Sequence, residues 1–162
     1  MIYLLDANVL IVANRQYYPI DRVAGFWDWL VDKGNSGDIK IIEDVFDEFA
    51  GGSDALAEWA TDQTVKDALL LNENVDIDLV RHVISRGYAP DLTDDEIEKV
   101  GRDPFLVAFA LRDTANRTVV TLEASKPKAI RSNRRIPNIC DDLGIRWLDT
   151  FGMQLELDFK LN

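Results

Sequence analysis

Short stretches of aliphatic and β-branched residues alternate along the chain with longer segments of helical spacing, and this alternation limits the fold more than any other feature. Each stretch has four residues, and they are Ile2–Leu5, Ile39–Ile42, Thr118–Thr121 and Ile145–Leu148. Such runs are typical of strands that are buried on both faces. Strands that alternate with helices form parallel sheets through right-handed crossovers. The sequence therefore predicts an α/β fold in one domain over residues 1–162, with helices on both faces of a parallel sheet.

Helix signals occupy the segments between these stretches. Thr93 and Glu96 have the spacing of a capping box, and Asp103 directly precedes a proline, which predicts that Asp103 is the N-cap of the next helix. Residues Phe105–Leu111 are apolar on all sides, so that helix is expected to be buried. The other helices are expected at Phe26–Val31 before a turn at Gly34–Gly37, at Glu43–Ala50, after Asp54, within Asp62–Arg86 with a break near 72–74, at Ile136–Leu143 and at Thr150–Leu157.

One segment of this acidic chain is strongly basic. The formal net charge is −11, which argues against binding nucleic acid over the whole surface, because phosphate contacts depend on lysine and arginine. Residues 126–135 nevertheless contain five basic side chains and no acidic one. The segment is either a solvated loop or a local phosphate-binding surface, and the sequence leaves both interpretations open.

The cysteine and histidine content and the hydropathy exclude several classes of protein. The single cysteine, Cys140, cannot form an internal disulfide and is expected to be a buried, inert thiol. His82 is the only histidine, so neither a zinc set nor a histidine-based catalytic dyad is expected. No basic region precedes the N-terminal apolar stretch and no apolar run approaches about 20 residues, so we expect a cytoplasmic protein without a signal peptide or membrane span.

Four acidic residues follow or flank the predicted strands. Asp6 follows the first strand, Glu48 lies in the helix after the second, Asp103 opens the buried helix, and Glu123 follows the third strand. Ligands of open parallel sheets bind at the carboxyl ends of the strands, where these side chains are expected to meet. Like charges in a poorly solvated cleft need protons or a metal ion to neutralise them, and oxygen ligands suit Mg²⁺ or Mn²⁺. The sequence therefore predicts a divalent metal site, with Glu48 favoured over its neighbour Asp47 because Glu48 lies beside the apolar face of its helix.

The segments that carry these acids resemble the four acidic motifs of PIN-domain nucleases, in the same order and over nearly the whole chain. They read YLLDANVLI, VFDEF, RDPFLVAFAL and VVTLE. The strings LLDANVLIVANRQYYP, FWDWL and IPNICDDLGI are similar to an uncharacterised PIN-like group of bacterial and archaeal proteins, the DUF4411 type. The resemblance implies a PIN-like three-layer α/β/α sandwich whose mainly parallel sheet has four to five strands.

Carried over residue by residue, the resemblance implies a metal site and a substrate. Asp6, Glu48 and Asp103 match the three acids that PIN domains use most consistently, and Glu123 matches the fourth position, although many members have aspartate after arginine there. The implied activity is Mg²⁺- or Mn²⁺-dependent endonucleolytic cleavage of single-stranded RNA, in many members as the toxin of a toxin–antitoxin pair, with an antitoxin protein and a second copy of the chain as partners. The expected substrate-binding residues are Asn8, Thr121, Lys126 and Arg134.

Alternatives remain open at several positions. Asp6 has a structural alternative as an acceptor for turn amides, and Asp103 as a helix cap only. A haloacid-dehalogenase-like phosphatase would use Asp6 as a covalent nucleophile, but it normally carries a second aspartate where this chain has Asn8. A catalytically inactive PIN-fold module would act by binding, with the acidic region 54–95 docking a basic partner.

Overall fold

The computed structural model describes residues 1–161, and its centre is a sheet of four strands that all run parallel. The strands are β1 (Ile2–Leu5), β2 (Ile39–Lys40), β3 (Arg117–Val120) and β4 (Arg146–Leu148), in the spatial order β2-β1-β3-β4. The two central strands, β1 and β3, pair from Ile2 opposite Arg117 to Leu5 opposite Val120. This confirms the predicted α/β fold with a parallel sheet. Both central strands end at the same edge, immediately before Asp6 and Thr121.

Helices connect the strands and, within residues 1–161, account for most of the remaining chain. The α-helices are α1 (Ala7–Val12), α2 (Ala24–Asn35), α3 (Glu43–Ala50), α4 (Ala55–Thr61), α5 (Gln63–Leu69), α6 (Ile77–Val83), α7 (Asp94–Val100), α8 (Asp103–Leu111), α9 (Ile136–Leu143) and α10 (Thr150–Glu156). Single π-helical turns at Ala13–Tyr17 and Ile84–Tyr88 follow α1 and α6, and a 3₁₀ turn lies at Arg131–Asn133.

Most of the predicted helix ends are confirmed. Thr93 and Glu96 form the reciprocal capping box at the start of α7, and the side chain of Asp54 accepts a hydrogen bond from the amide of Ala57 in α4 at 2.9 Å. Gly144 closes α9 in the left-handed conformation with φ +70°. The predicted turn at Gly34–Gly37 is confirmed at Ser36 and Gly37, but its first half is helical, because α2 continues through Gly34 to Asn35. A Cβ at Gly34 would lie 2.7 Å from the carbonyl oxygen of Ala68, so this glycine permits the close approach of α5.

The prediction that Asp103 is an N-cap is also wrong. Helix α8 begins at Asp103 itself, with Arg102 in the capping position, and no side-chain hydrogen bond caps the helix. A proline at the second helical position is compatible with either start, because the first amides of a helix have no intrahelical partner. The expected burial of α8 is confirmed for Leu106–Ala110. The carboxylate of Asp103 therefore makes no capping hydrogen bond.

Two aromatic residues, the cysteine and the histidine are divided between core and surface. Trp27 is buried and its Nε1 donates a hydrogen bond to the carbonyl of Tyr18 at 2.7 Å, while Tyr17 is exposed. Cys140 is buried as expected, and burial raises the pKa of its thiol to about 12. His82 lies on the exposed side of α6. Within the described chain, no helix combines the length and apolar character needed to cross a membrane.

Candidate metal centre

Asp6 is the most buried of the four predicted acids. It follows β1, its side chain does not cap α1, and only 7% of its surface is exposed. Its amide donates to the carbonyl of Val120 at 2.9 Å, and its Oδ2 accepts a hydrogen bond from the hydroxyl of Thr121 at 2.8 Å. Burial raises the pKa of Asp6 to about 6, opposed by the hydrogen bond from Thr121 and assisted by the charge of Glu123.

Asn8 and Thr121 hold the ends of the two central strands together. Asn8 Oδ1 accepts the amide hydrogen of Leu122 at 3.0 Å, and its Nδ2 lies 3.4 Å from the hydroxyl of Thr121. That hydroxyl also accepts the amide hydrogen of Glu123 at 3.1 Å. Thr121 has no exposed surface, so it is out of reach of a substrate, contrary to the expectation from sequence. It instead positions Asp6 and Glu123.

Asp103 lies at the first position of α8 and is half-buried. Burial raises its pKa to about 7, and the charges of Asp6, Glu123 and Glu48 add to the rise, while Arg135 opposes it. All three of the other predicted acids therefore act on this one carboxyl group. The two motifs in which Asp6 and Asp103 lie are almost a hundred residues apart in the chain, and the sheet brings them together.

Glu48 lies at the rim of the cluster on α3. The residue is exposed, but its carboxyl group is partly covered, and this desolvation is the main reason why its pKa is raised. The charge of Asp6 is the next cause, followed by that of Asp44, which Arg102 pairs at 2.7 Å. Glu48 rather than Asp47 is therefore the acid of α3 that interacts with the buried carboxyl groups.

Glu123 differs from the other three acids because both of its oxygens already have partners. Oε2 accepts the amide hydrogen of Ile136 at the start of α9 at 2.8 Å, and Oε1 lies 3.7 Å from Nη1 of Arg135. A carboxylate at a helix N-terminus is favoured by the helix dipole. A direct metal contact by Glu123 would have to replace one of these interactions.

The donor set fits a hydrated magnesium or manganese ion. It consists only of carboxylate oxygens, and the charges of these groups raise one another's pKa values, which a bound cation would relieve. In residues 1–161, no three His, Cys, Asp or Glu side chains are arranged to hold one ion jointly. Magnesium keeps several waters and usually takes one or two carboxylates directly. In the described residues these side chains could therefore hold a hydrated ion through one or two carboxylates, and they do not enclose an ion.

Comparison with known families gives one match. Residues 3–161 match the model of a family described as a domain of unknown function, DUF4411. The chain belongs to the DUF4411 family. No curated protein and no solved structure matches it. The DUF4411 match covers all four acids, β3 and all of β1 except Ile2, so the cluster lies within the family domain.

A cleft of about 270 Å³ adjoins the acidic cluster of this DUF4411 protein. Its lining includes the acidic residues Asp103 and Glu123 and the basic residues Lys99, Lys126 and Arg134, and we call the basic part of this lining the basic wall. The predicted substrate residues differ in their availability. Arg134 donates to the carbonyl of Gly87, and its Nη2 lies 2.7 Å from Asp142, so its guanidinium is already engaged. Lys126 is exposed.

Arg131 connects the segment 126–135, which contributes to the basic wall of the cleft, to α7. Its guanidinium makes two hydrogen bonds to Glu96, at 3.0 and 2.9 Å, and one to Asp91 at 2.9 Å. These interactions lower the pKa of Glu96 to about 2, so the pair persists throughout the neutral pH range. The segment 126–135 is therefore not merely a solvated loop in this DUF4411 protein.

We expect Arg131→Ala to loosen this wall without affecting the acids. Amide hydrogen exchange in residues 126–135 should become faster by tenfold or more, because a bidentate, charge-assisted contact is lost. Arg81→Ala is the control, since Arg81 is another surface arginine in an ion pair, 3.5 Å from Asp78. Unchanged exchange in 126–135 would show that the wall is held by other contacts.

The sequence gives no signal for the importance of Tyr88, which lines the cleft. It ends the π-helical turn Ile84–Tyr88 and belongs to none of the acidic motifs. Lys99 is missed for the same reason, because its helix, α7, reads as an ordinary acidic surface helix. Both residues join the site only through folding.

Proposed function

We propose that this DUF4411 protein is a Mg²⁺- or Mn²⁺-dependent endoribonuclease that hydrolyses single-stranded RNA, related to PIN-domain nucleases. The proposal rests on one observation. Asp6, Glu48 and Asp103 lie near one another beside the carboxyl ends of the central strands, where their charges act on one another. Their negative charges are compensated only in part by Arg102 and Arg135. Unbalanced carboxylates in a half-buried cleft destabilise the fold, so a cluster of this kind has a natural explanation as a cation site.

The resemblance of the motifs supports the choice of RNA hydrolysis. In PIN domains the corresponding acids hold the catalytic metal, and here the motifs that match them come together at one edge of the sheet. A role as the toxin of a toxin–antitoxin pair, in the cytoplasm and with an antitoxin or a second copy as partner, is part of the same proposal and rests on the resemblance alone.

Each residue of the cluster has a separate part in the proposed activity. Asp6, Glu48 and Asp103 would hold one or two hydrated ions, with one or two of these carboxylates as direct ligands and the others bound through water. Glu123 would act through its present partners or through water. A bound Mg²⁺ or Mn²⁺ supplies Lewis acidity and neutralises the charge that develops on the phosphate. Asn8 and Thr121 keep Asp6 and Glu123 in place through their hydrogen bonds.

A covalent mechanism is less well supported. The thiol of Cys140 is buried and its pKa is raised to about 12, so it does not serve as a nucleophile. A phosphatase that forms an aspartyl-phosphate on Asp6 would need an acid near the position of Asn8. The side-chain amide of Asn8 is bound to Leu122 and Thr121 and cannot donate a proton as an acid does. Water is therefore the proposed nucleophile.

The test combines Mn²⁺ titration with cleavage of a mixed-sequence single-stranded RNA. We expect the wild-type protein to bind Mn²⁺ and to cut the RNA internally, with little cleavage of duplex RNA. Glu48→Gln should lower the cleavage rate by 10- to 100-fold, because one charged ligand is lost. Asp47→Asn, an exposed neighbour on the same helix, is the matched control and should behave as wild type.

Two results would contradict the proposal. Cleavage of no RNA in the presence of bound Mn²⁺ would remove the nuclease assignment, and turnover of p-nitrophenyl phosphate with a phosphorylated Asp6 would establish the phosphatase instead. Equal losses of cleavage rate in Glu48→Gln and Asp47→Asn would show that α3 contributes only negative charge and does not provide a metal ligand.

A further inference from the structure

The cleft beside the acidic cluster is lined by acidic residues, by basic residues and by a tyrosine. Asp103 and Glu123 belong both to the cleft and to the candidate metal centre, so a ligand in the cleft lies next to that centre. Lys99 and Lys126 belong to the basic wall, and Tyr88 also lines the cleft. The volume of about 270 Å³ is just below the range of pockets for drug-sized ligands, which suits one small group and not a folded partner.

The two lysines are the cations of this wall that are not neutralised by an acid. Within residues 1–161, Lys126 Nζ makes no hydrogen bond or ion pair, and Lys99 Nζ donates only to the neutral Asn133 side chain. Arg134 is paired with Asp142, and Arg135 lies near Glu123. In a chain of net charge −11, two unneutralised ammonium groups on one wall form a local site for an anion.

Tyr88 provides the second, independent observation. Only 7% of its surface is exposed, and its hydroxyl has no hydrogen-bond partner in the described part of the chain. Buried polar groups without a partner are rare because they destabilise the fold, and those that occur often have a function. Burial, and then the charges of Asp103 and Glu123, raise the pKa of the phenol, so it stays protonated and can donate a hydrogen bond.

The backbone that carries Tyr88 is also distinctive. Tyr88 ends the π-helical turn Ile84–Tyr88, and π-helical turns are frequent at functional sites. Arg134 braces this turn by donating to the carbonyl of Gly87. The basic wall and the turn that carries Tyr88 are therefore linked. Hydrogen-bond donors in such sites are often misaligned until the ligand binds.

We propose that this cleft is a phosphate subsite, in which Lys99 and Lys126 supply positive charge. Tyr88, whose hydroxyl is covered in the free protein, turns toward the ligand and donates a hydrogen bond to the phosphate adjacent to the one cleaved. The inference rests on the proposed function, because the RNA strand that crosses the metal centre brings the second phosphate. Two ammonium groups with one neutral donor suit a phosphodiester, which offers charge and several acceptor oxygens. Arg134 then supports the wall and does not contact the substrate.

The test measures binding without metal and without cleavage. In an Asp6→Asn background with EDTA, the affinity for a fluorescent ten-residue oligouridine is measured by anisotropy between 20 and 200 mM KCl. We expect Lys99→Ala and Lys126→Ala each to weaken binding about 5- to 10-fold at low salt. Each should also reduce the slope of log K against log salt by about 0.7, the value for one phosphate contact on a single strand.

Tyr88→Phe separates the neutral donor from the cations. It should weaken binding about 3- to 10-fold and leave the salt slope unchanged, because no charge is removed. Its thermal midpoint should equal or exceed that of its parent, since an unpartnered hydroxyl is lost, and this excludes misfolding as the cause. Lys128→Ala is the control, because Lys128 lies in the same segment but outside the cleft, and it should keep the parental affinity and slope.

The subsite is overturned if no binding is measurable at 20 mM KCl, if neither lysine variant changes the slope, or if Tyr88→Phe binds as its parent does. Displacement of the RNA by polyglutamate at equal charge concentration would also overturn it in favour of an acidic peptide. The proposed function fails separately. If the wild-type protein does not cleave RNA with Mn²⁺ but the binding results are as expected, the phosphate subsite stands and the proposed nuclease activity is wrong.

Discussion

Replacing both Asp6 and Asp103 by asparagine is expected to abolish Mn²⁺ binding and to reduce RNA cleavage by at least a thousandfold, while the metal-free protein becomes more stable. The functional loss follows because two charged ligands disappear from a site that depends on them. The stability gain follows from the raised pKa values of about 6 and 7. Each pKa unit corresponds to about 1.4 kcal/mol, and we expect the free energy of unfolding to rise by about 1–3 kcal/mol at pH 8.

The pH dependence of this gain gives the sharper measurement. Below the unfolded pKa near 4, the wild-type carboxyls are protonated in both states, so the variant has little advantage. Between that pH and the folded values of about 6 and 7, the unfolded chain has already released these protons while the folded protein still holds them, so the folded wild type loses stability relative to the variant. Urea unfolding at pH 4.5 and pH 8, in EDTA, measures the difference. A variant that is less stable at pH 8, or that still binds Mn²⁺, would contradict the assignment.

A large loss of stability is expected from Glu73→Ala at the opposite end of the sheet. Glu73 pairs with the buried Arg117 of β3 and, at 2.9 Å, with Arg112, and these partners hold its pKa below the usual range despite partial burial. Arg117 also donates to the carbonyl of Phe109 at 2.8 Å, while its Nε has no partner in the described chain. Removing Glu73 leaves a buried charge uncompensated, which typically costs about 3–5 kcal/mol.

The double variant Glu73→Ala/Arg117→Met separates the two effects. It should recover most of the lost stability in urea unfolding, because an apolar side chain of similar length replaces the unpaired cation. Arg112→Ala is the matched control, since Arg112 is more exposed and its loss should cost no more than about 1 kcal/mol. Failure of Arg117→Met to restore stability would show that Glu73 acts through another contact. Cleavage per folded molecule should remain unchanged throughout, because the pair lies far from the acids.

The acids illustrate how far local sequence patterns extend. Asp6 could be placed because it directly follows a run of buried strand residues, and in the structure it comes immediately after β1. Helical spacing favours Glu48 over Asp47, and the mutual effect of the charges of Glu48, Asp6 and Asp103 on the pKa values of Glu48 and Asp103 agrees with it. Asp103 was expected as a cap, because the aspartate–proline pair has the same appearance whether a helix begins at one residue or the next.

The hydrogen-bond and ion-pair partners of each side chain are not predicted by local sequence. Glu123 looked equivalent to the other acids, but α9 and Arg135 occupy its oxygens. Arg134 looked as available as Lys126, yet Asp142 and Gly87 engage it. These outcomes depend on contacts between segments that are remote in the chain, and no local pattern encodes them.

Hydrophobic periodicity and helix capping are properties of neighbouring residues, so they predict the alternation of strands and helices, the parallel sheet and the order of the acidic motifs. Only the folded chain shows which carboxylates lie close enough to raise one another's pKa values, which cations remain unpaired, and that Tyr88 lines the cleft without a partner for its hydroxyl. Burial and charge coupling depend on distance in space, and these distances are set only when the sheet has brought β1 and β3 side by side.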